Sequence, residues 1–293
     1  MTGNVAVLGL GRMGAAMARR IHGSGVEVIL WNRDRSKAEA ISQEIGASVA
    51  DTAAQAAAIS DFVLSSLADD EAVQDVYLAA NGVVEGIGGG TIAIDTSTVD
   101  PVTILRVGEA VDQTGAEFID CPVSGSVSTV EAGELTVMAG GDEVVVKEAE
   151  PLLASIASRV IHVGPRGAGA ACKLAVNGLV HGLNIALSEA LVLAEKAGVE
   201  RGTAYEVFVS GAGGAPFVKY KRQAYENPET TPVAFSLDLV AKDLELITGL
   251  ANRIGVPMNQ ARVGLEIVRR ALAAGMGPRD LSAIAILLRE GHA

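Results

Sequence analysis

Aromatic residues make up only 3 % of the 293-residue chain, so its core must be built from Ala, Val, Leu and Ile. Cysteine is rarer still. Cys121 and Cys172 alone make no disulfide framework and read as reduced core thiols of a cytoplasmic protein. Bases are outnumbered, 23 Lys and Arg against 35 Asp and Glu, for a formal charge of −12. No basic run offsets that surface, so nucleic acid is not an expected partner, and an anionic ligand needs a local basic pocket. The N-terminal stretch "MTGNVAVLGLGRMG" lacks the basic region of a targeting segment and enters a structural motif at once. A clean membrane-length apolar run is missing too. Between Lys173 and Ala194, Asn177, His181, Asn184 and Glu189 would each be costly in hydrocarbon, so a core helix is expected and no membrane partner. No metal site is expected.

What is present falls into two halves. From Asn4 to about Val163, apolar runs such as "NVAVLGL", "VEVILW", "DFVLSSL", "TIAID", "AEFID", "LTVMAGG" and "RVIHVG" alternate with helical stretches. That alternation predicts βαβ units and a mostly parallel, doubly wound sheet of the Rossmann kind. After Gly164 the strands stop. Helices are predicted over Ala170–Ala197, Arg201–Ser210, Pro216–Tyr225, Leu237–Ile254, Pro257–Ala274 and Pro278–Glu290, with Asp280 as a helix start. The expected organisation is therefore α/β: a dinucleotide-binding domain over 1–164 and an all-helical domain over 165–293, joined at "GPRGAGA".

Gly9, Gly11 and Gly14 form a G-x-G-x-x-G spacing between the first strand and the first helix. The spacing alone is weak; its place at a strand-to-helix turn makes it a dinucleotide cradle. Gly9 allows the turn, Gly11 lets backbone approach a pyrophosphate, and Gly14 lets helix and strand pack. Leu10, Arg12 and Met13 share the turn, and the helix N-terminus offers N–H groups and a positive dipole end. An NAD site expects an acid at the end of the second strand. Here that strand ends in Asn32-Arg33, with Lys37 four residues on. Asn32 does not repel a 2′-phosphate and Arg33 offers it a planar fork, so NADP(H) is expected ahead of NAD; a merely solvated surface arginine is the alternative. Asp34 works against this by adding a negative charge.

"DCPVSGS" follows a strand end, where parallel sheets bind ligands. Ser124, with the N–H groups near Gly125 and Ser126, could hold a carboxylate; an ordinary Ser-Gly turn is the alternative. Further on, Lys173, Asn177, His181, Asn184 and Ser188 recur at helical spacing on an otherwise apolar helix. Gly169 leaves room above Lys173. An ammonium in a partly desolvated cleft can donate a proton or polarise a carbonyl oxygen, and Asn177 can hold either the lysine or that oxygen. Alternatively Lys173 snorkels from a helix start. His181 reads as a satisfied core histidine. Lys242 and Asp243 supply either a second cation near the chemistry or a solvated charged turn.

The stretches "GLGRMG", "WNRDRSK", "IDTSTVDP", "DCPVSGS", "GAGAACKLAVN" and "KDLELI" together resemble, nearly end to end and in order, the β-hydroxyacid dehydrogenase family. That family includes 3-hydroxyisobutyrate dehydrogenase, tartronate semialdehyde reductase and the glyoxylate/succinic semialdehyde reductases, and is 6-phosphogluconate dehydrogenase-like. The resemblance implies a Rossmann domain, an all-helical domain, and homodimers or homotetramers assembled through the helices. By the same resemblance Lys173 is the catalytic lysine and Asn177 its partner. Ser124 and Gly125 belong to the loop for the substrate carboxylate. Thr98 lies near the nicotinamide end, and Leu67 and Ala68 in the loop covering it. Lys242 reaches the cofactor and substrate side, with Asp243 beside it. Asp34, Cys121 and Ser126 depart from the common Thr or Ser, Ala and Gly of relatives.

The expected activity is hydride transfer between NADP(H) and a small carboxylate-bearing aldehyde or β-hydroxy acid, Lys173 protonating or polarising the carbonyl oxygen. Two other readings are an imine reductase acting on C=N bonds, a branch that usually lacks this lysine, and a non-catalytic NADP-binding module, which leaves Lys173 without a role.

Overall fold

Runs of Val, Ile, Leu and Ala place nearly every residue of the inner strands in a core, because both faces of their sheet are covered. A computed structural model describes residues 3–291. These strands are β1 (Asn4–Leu8), β2 (Glu27–Trp31), β3 (Ser48–Val49), β4 (Phe62–Ser65), β5 (Ile92–Asp95), β6 (Glu117–Asp120), β7 (Val123–Ser124), β8 (Leu135–Gly140) and β9 (Ala157–Gly164). Successive side chains go to opposite faces. Val5, Val7, Leu30, Leu64 and Ile94 enter one core cluster, while Ala6, Leu8, Ile29, Val63 and Ala93 enter another.

The strand order is β3-β2-β1-β4-β5-β6-β8-β7, with β9 pairing β8. β1 to β6 are parallel; β8 then runs antiparallel to β6 and β7, and β9 runs parallel to β8. The chain winds outward from β1 in one direction, then returns to β4 on its other side. The turn after β1 therefore lies at the switch point where such sheets bind ligands. The expected doubly wound sheet is present. β3 and β7, two residues each, were not anticipated; neither is long enough to show a period.

Compact packing divides the chain into a first unit ending at Lys173 and a second beginning at Leu174. The division falls inside the helix Ala168–Lys196, which opens in the first unit and continues through the second. This helix is long and apolar enough to span a membrane by length and composition, and half of its most apolar window is buried within the fold.

In the second unit every element longer than an isolated bridge is helical among the described residues. Arg201–Ser210 and Leu237–Ile254 match expectation. The segment expected as one helix over Pro216–Tyr225 is two, Pro216–Tyr220 and Arg222–Glu226. The break is at Lys221, whose buried ammonium lies 2.9 Å from both carboxylate oxygens of Asp280. Asp280 also accepts the N–H groups of Ala234 and Ser282, so it both neutralises Lys221 and starts the 3₁₀ turn Leu281–Ala283 before the helix Ile284–Arg289. The helix expected from Pro257 is Asn259–Ala273.

Candidate active site

The glycine turn suits a dinucleotide atom by atom. Gly9 has φ +88°, a conformation L side chains rarely adopt, and a Cβ there would lie 2.4 Å from Ser66 O. A Cβ on Gly14 would lie 1.9 Å from Gly9 O, so helix and turn touch backbone to backbone. A Cβ on Gly11 would meet nothing within 4 Å. Two glycines are thus required by packing, while the third leaves an open backbone face. No side chain caps the helix Arg12–Gly23, and its first turn carries no acid. That is the donor-rich, acid-free surface a pyrophosphate needs, and the residues present fit a dinucleotide.

At the end of β2, Asn32 does more than avoid repulsion. Its Oδ1 accepts the Leu10 N–H at 2.8 Å and its Nδ2 donates to Asp34 O at 2.9 Å, so it ties the glycine turn to the neighbouring strand end. Arg33 and Lys37 are exposed. Asp34 acts locally, capping the helix Arg35–Ile45 by accepting the N–H and hydroxyl of Ser36. The Ser36 hydroxyl holds the Asp34 carboxyl below its usual range. The next arginine, Arg35, is engaged by Glu39 and Asp51.

Two buried acids terminate adjacent strands. Asp95, at the end of β5, accepts the hydroxyls of Ser65 (2.6 Å) and Ser97 (3.0 Å) and the Ser97 N–H (3.0 Å). Ser97 Oγ in turn accepts the Leu67 N–H at 2.9 Å, so this network sets the loop of Leu67 and Ala68 beside the loop of Thr98. Burial pushes Asp95 up to about 6. Asp120, at the end of β6, is likewise pushed up to about 6 by burial. Its two oxygens accept the N–H groups of Gly167 and Ala170, each at 2.8 Å. Asp120 therefore anchors the first turn of the helix that carries Lys173 to the carboxyl edge of the sheet. Sequence reasoning missed this role, although an acid ending the apolar strand "AEFID" was its signal.

Gly169 needs correction. A Cβ there would lie 2.5 Å from Met138 O and 2.6 Å from Asp120 O. The space over it is filled by sheet backbone, so this glycine serves helix-to-sheet contact rather than room for a ligand. Lys173 follows one turn later, half-buried. Just after β7, Gly125 has φ +145° and a Cβ there would press on Leu135 and Thr129. Ser126 spends its hydroxyl on Ser128 and Thr129 at the start of the helix Val127–Ala132. Ser124 is half-buried in β7. Cys121 is fully buried, which pushes its thiol up, as a core thiol should be.

In the second unit, residues singled out separately meet. Asn177 Nδ2 donates to Asp243 Oδ2 at 2.6 Å, and Lys242 Nζ lies 3.2 Å from Asp243 Oδ1. Asp243 is 1 % exposed. His181, expected to be a core histidine, joins them: its Nε2 lies 3.3 Å from the same Asp243 Oδ2. The remaining stripe is structural. Asn184 donates to Leu281 O and accepts from the Tyr225 hydroxyl, and Ser188 bonds Asn184 O.

Both halves of the chain match known protein families. The family model of the NAD-binding domain of 6-phosphogluconate dehydrogenase matches residues 4–164. The model of the NAD-binding region of NADP-dependent 3-hydroxyisobutyrate dehydrogenase matches 167–288. Glyoxylate/succinic semialdehyde reductase 1 of Arabidopsis thaliana is 35 % identical over 280 residues, 96 % of each chain. 2-(Hydroxymethyl)glutarate dehydrogenase of Eubacterium barkeri is 32 % identical over 96 % of this chain and 93 % of that one. The solved structure of Mycobacterium tuberculosis 3-hydroxyisobutyrate dehydrogenase with L-serine superposes with a TM-score of 0.88 at 30 % identity, covering 99 % and 100 % of the two chains. With its glycine cradle, its sheet order and both halves matched, the chain belongs to the β-hydroxyacid dehydrogenase family of NAD(P)-dependent oxidoreductases.

Proposed function

We propose that this enzyme is an NADP(H)-dependent reductase of a small carboxylate-bearing aldehyde, and in reverse a β-hydroxyacid dehydrogenase, with Lys173 as its proton donor. The observation that carries the reading is the Asp120 anchor. It fixes the turn leading to Lys173 at the carboxyl edge of the same sheet that bears the open glycine turn. When bound, the nicotinamide supplies or accepts the hydride. Gly9, Leu10, Gly11, Arg12, Met13 and Gly14 hold the pyrophosphate, and Asn32 keeps that turn in place. Arg33 and Lys37 take the 2′-phosphate, from which capping draws the Asp34 carboxylate toward Ser36. Leu67, Ala68, Thr98 and Lys242 serve the nicotinamide end.

A lysine is an ammonium at neutral pH, the form required to protonate a developing alkoxide. Asn177 orients the reacting oxygen or the lysine. Ser124, with Gly125 and Ser126 backbone, receives the substrate carboxylate; Asp243 sets Asn177 and Lys242. The glyoxylate/succinic semialdehyde and 2-(hydroxymethyl)glutarate specificities in the relatives' names support this substrate class. The domain at 1–164 carries most of the cofactor contacts and the substrate-carboxylate loop, and that at 165–293 carries Lys173, Asn177, Lys242 and the assembly surface. Leu179 and Leu193, 67 % and 72 % exposed on the long helix, support association of cytoplasmic copies into dimers or tetramers. A panel of semialdehydes and cyclic imines assayed with NADPH and NADH, and of hydroxy acids assayed with NADP+ and NAD+, tests the proposal. Reduction of the semialdehydes with NADPH preferred over NADH, and oxidation of the hydroxy acids with NADP+ preferred over NAD+, is expected; turnover of imines alone, or of nothing, overturns it.

A further inference from the structure

Asn177 and His181 sit one turn apart on one face of the long helix and converge on a single oxygen, Asp243 Oδ2, at 2.6 and 3.3 Å. A carboxylate only accepts hydrogen bonds. The Asn177 amide must therefore turn its NH₂ toward Asp243, and His181 must carry its proton on Nε2. In the neutral ring Nδ1 is then the acceptor, and it is buried with no hydrogen-bond partner among the described residues. On the other side of the carboxylate stands Lys242, 3.2 Å from Oδ1 and on Asp243's own helix. Two donors at consecutive turns of the long helix hold the carboxylate plane. The ring of His181 is itself set beside Phe235, centroids 5.8 Å apart.

We propose that His181 is a positioning residue: through Asp243 it fixes the amide of Asn177 so that Oδ1, an acceptor, is the end turned away from the carboxylate. The proper partner of that end is a donor, the Lys173 ammonium or the hydroxyl of a hydroxy acid. The catalytic consequence rests on the function proposed above; the hydrogen-bonded arrangement does not.

The test separates the two. In ¹⁵N-labelled protein, His181 should show a pyrrole-like Nε2 and a pyridine-like Nδ1. The Asn177 side-chain amide should shift in His181→Leu and return in His181→Gln, whose amide N–H reaches the same oxygen. His181→Asn, too short to reach, replaces the leucine variant if that one does not fold. In turnover, His181→Leu should lower kcat about tenfold with KM for the cofactor unchanged. His181→Gln should restore most of it, and in an Asn177→Ala background the leucine should cost nothing further. An Nδ1–H tautomer, an unmoved Asn177 amide, or a kcat loss that multiplies with Asn177→Ala overturns the proposal. If the wild type turns over no member of the substrate class, the functional reading fails, while the spectra still decide whether His181 fixes Asn177.

Discussion

The proposed cofactor choice rests on Arg33, with Lys37 four residues on. Arg33 is exposed, its neighbour Asp34 is bound to Ser36, and Arg35 is held by Glu39 and Asp51. A guanidinium facing a phosphate supplies charge and a bidentate geometry that ribose hydroxyls do not use. Arg33→Ala should raise KM for NADPH by about 10- to 100-fold and leave KM for NADH within a factor of about three. Equal loss for both cofactors would mean that Arg33 does not read the 2′-phosphate. Single residues also mark how far sequence reasoning reached. Gly9, Gly11 and Gly14 were legible because their spacing encodes backbone geometry. Asp120 and His181 were not, because their partners lie 47 and 62 positions away and only tertiary structure brings them together.

The glycine turn makes a prediction that belongs to a whole strand-turn-helix element. Its outer two glycines are packing requirements and its middle one is an open backbone face, proposed above to meet the pyrophosphate. Gly14→Ala should drive a methyl into Gly9 O and unfold or severely destabilise the first unit. Gly11→Ala should leave thermal stability within about 2 °C of wild type, because its Cβ meets nothing, yet weaken NADPH binding at least about tenfold. Calorimetry and cofactor titration check both halves; equal destabilisation by the two substitutions would contradict the division of labour. Long elements were legible for the same reason that short ones were not. Leu237–Ile254 shows five turns of helical period, whereas β3 and β7 show none. The break at Lys221 was hidden because a buried lysine is written in sequence like an exposed one; only Asp280 explains it.

Stability of the whole molecule should follow pH in a particular way. Asp95 and Asp120 are raised to about 6, so each contributes stability that is complete below the unfolded value near ~3.9 and lost as pH rises through about 6. Asp280 is the opposite case: burial opposes its charge, but Lys221 and the N–H groups outweigh burial and lower it. Its contribution is present above the unfolded value and lost as pH falls through the folded one. Denaturant unfolding at pH 4.5 and 7 should show Asp95→Asn flattening the fall between them by roughly 2 kcal/mol. Lys221→Met should cost about 3–5 kcal/mol at pH 7 by stranding the Asp280 charge. A wild-type slope unchanged in Asp95→Asn would rule out its titration. The central claim, that the long helix delivers a proton donor to a nicotinamide-dependent reaction, is tested most directly by Lys173→Ala under saturating NADPH and aldehyde. NADPH affinity should stay within about twofold while kcat falls by about 10²–10⁴; a kcat close to wild type in that variant would contradict the account.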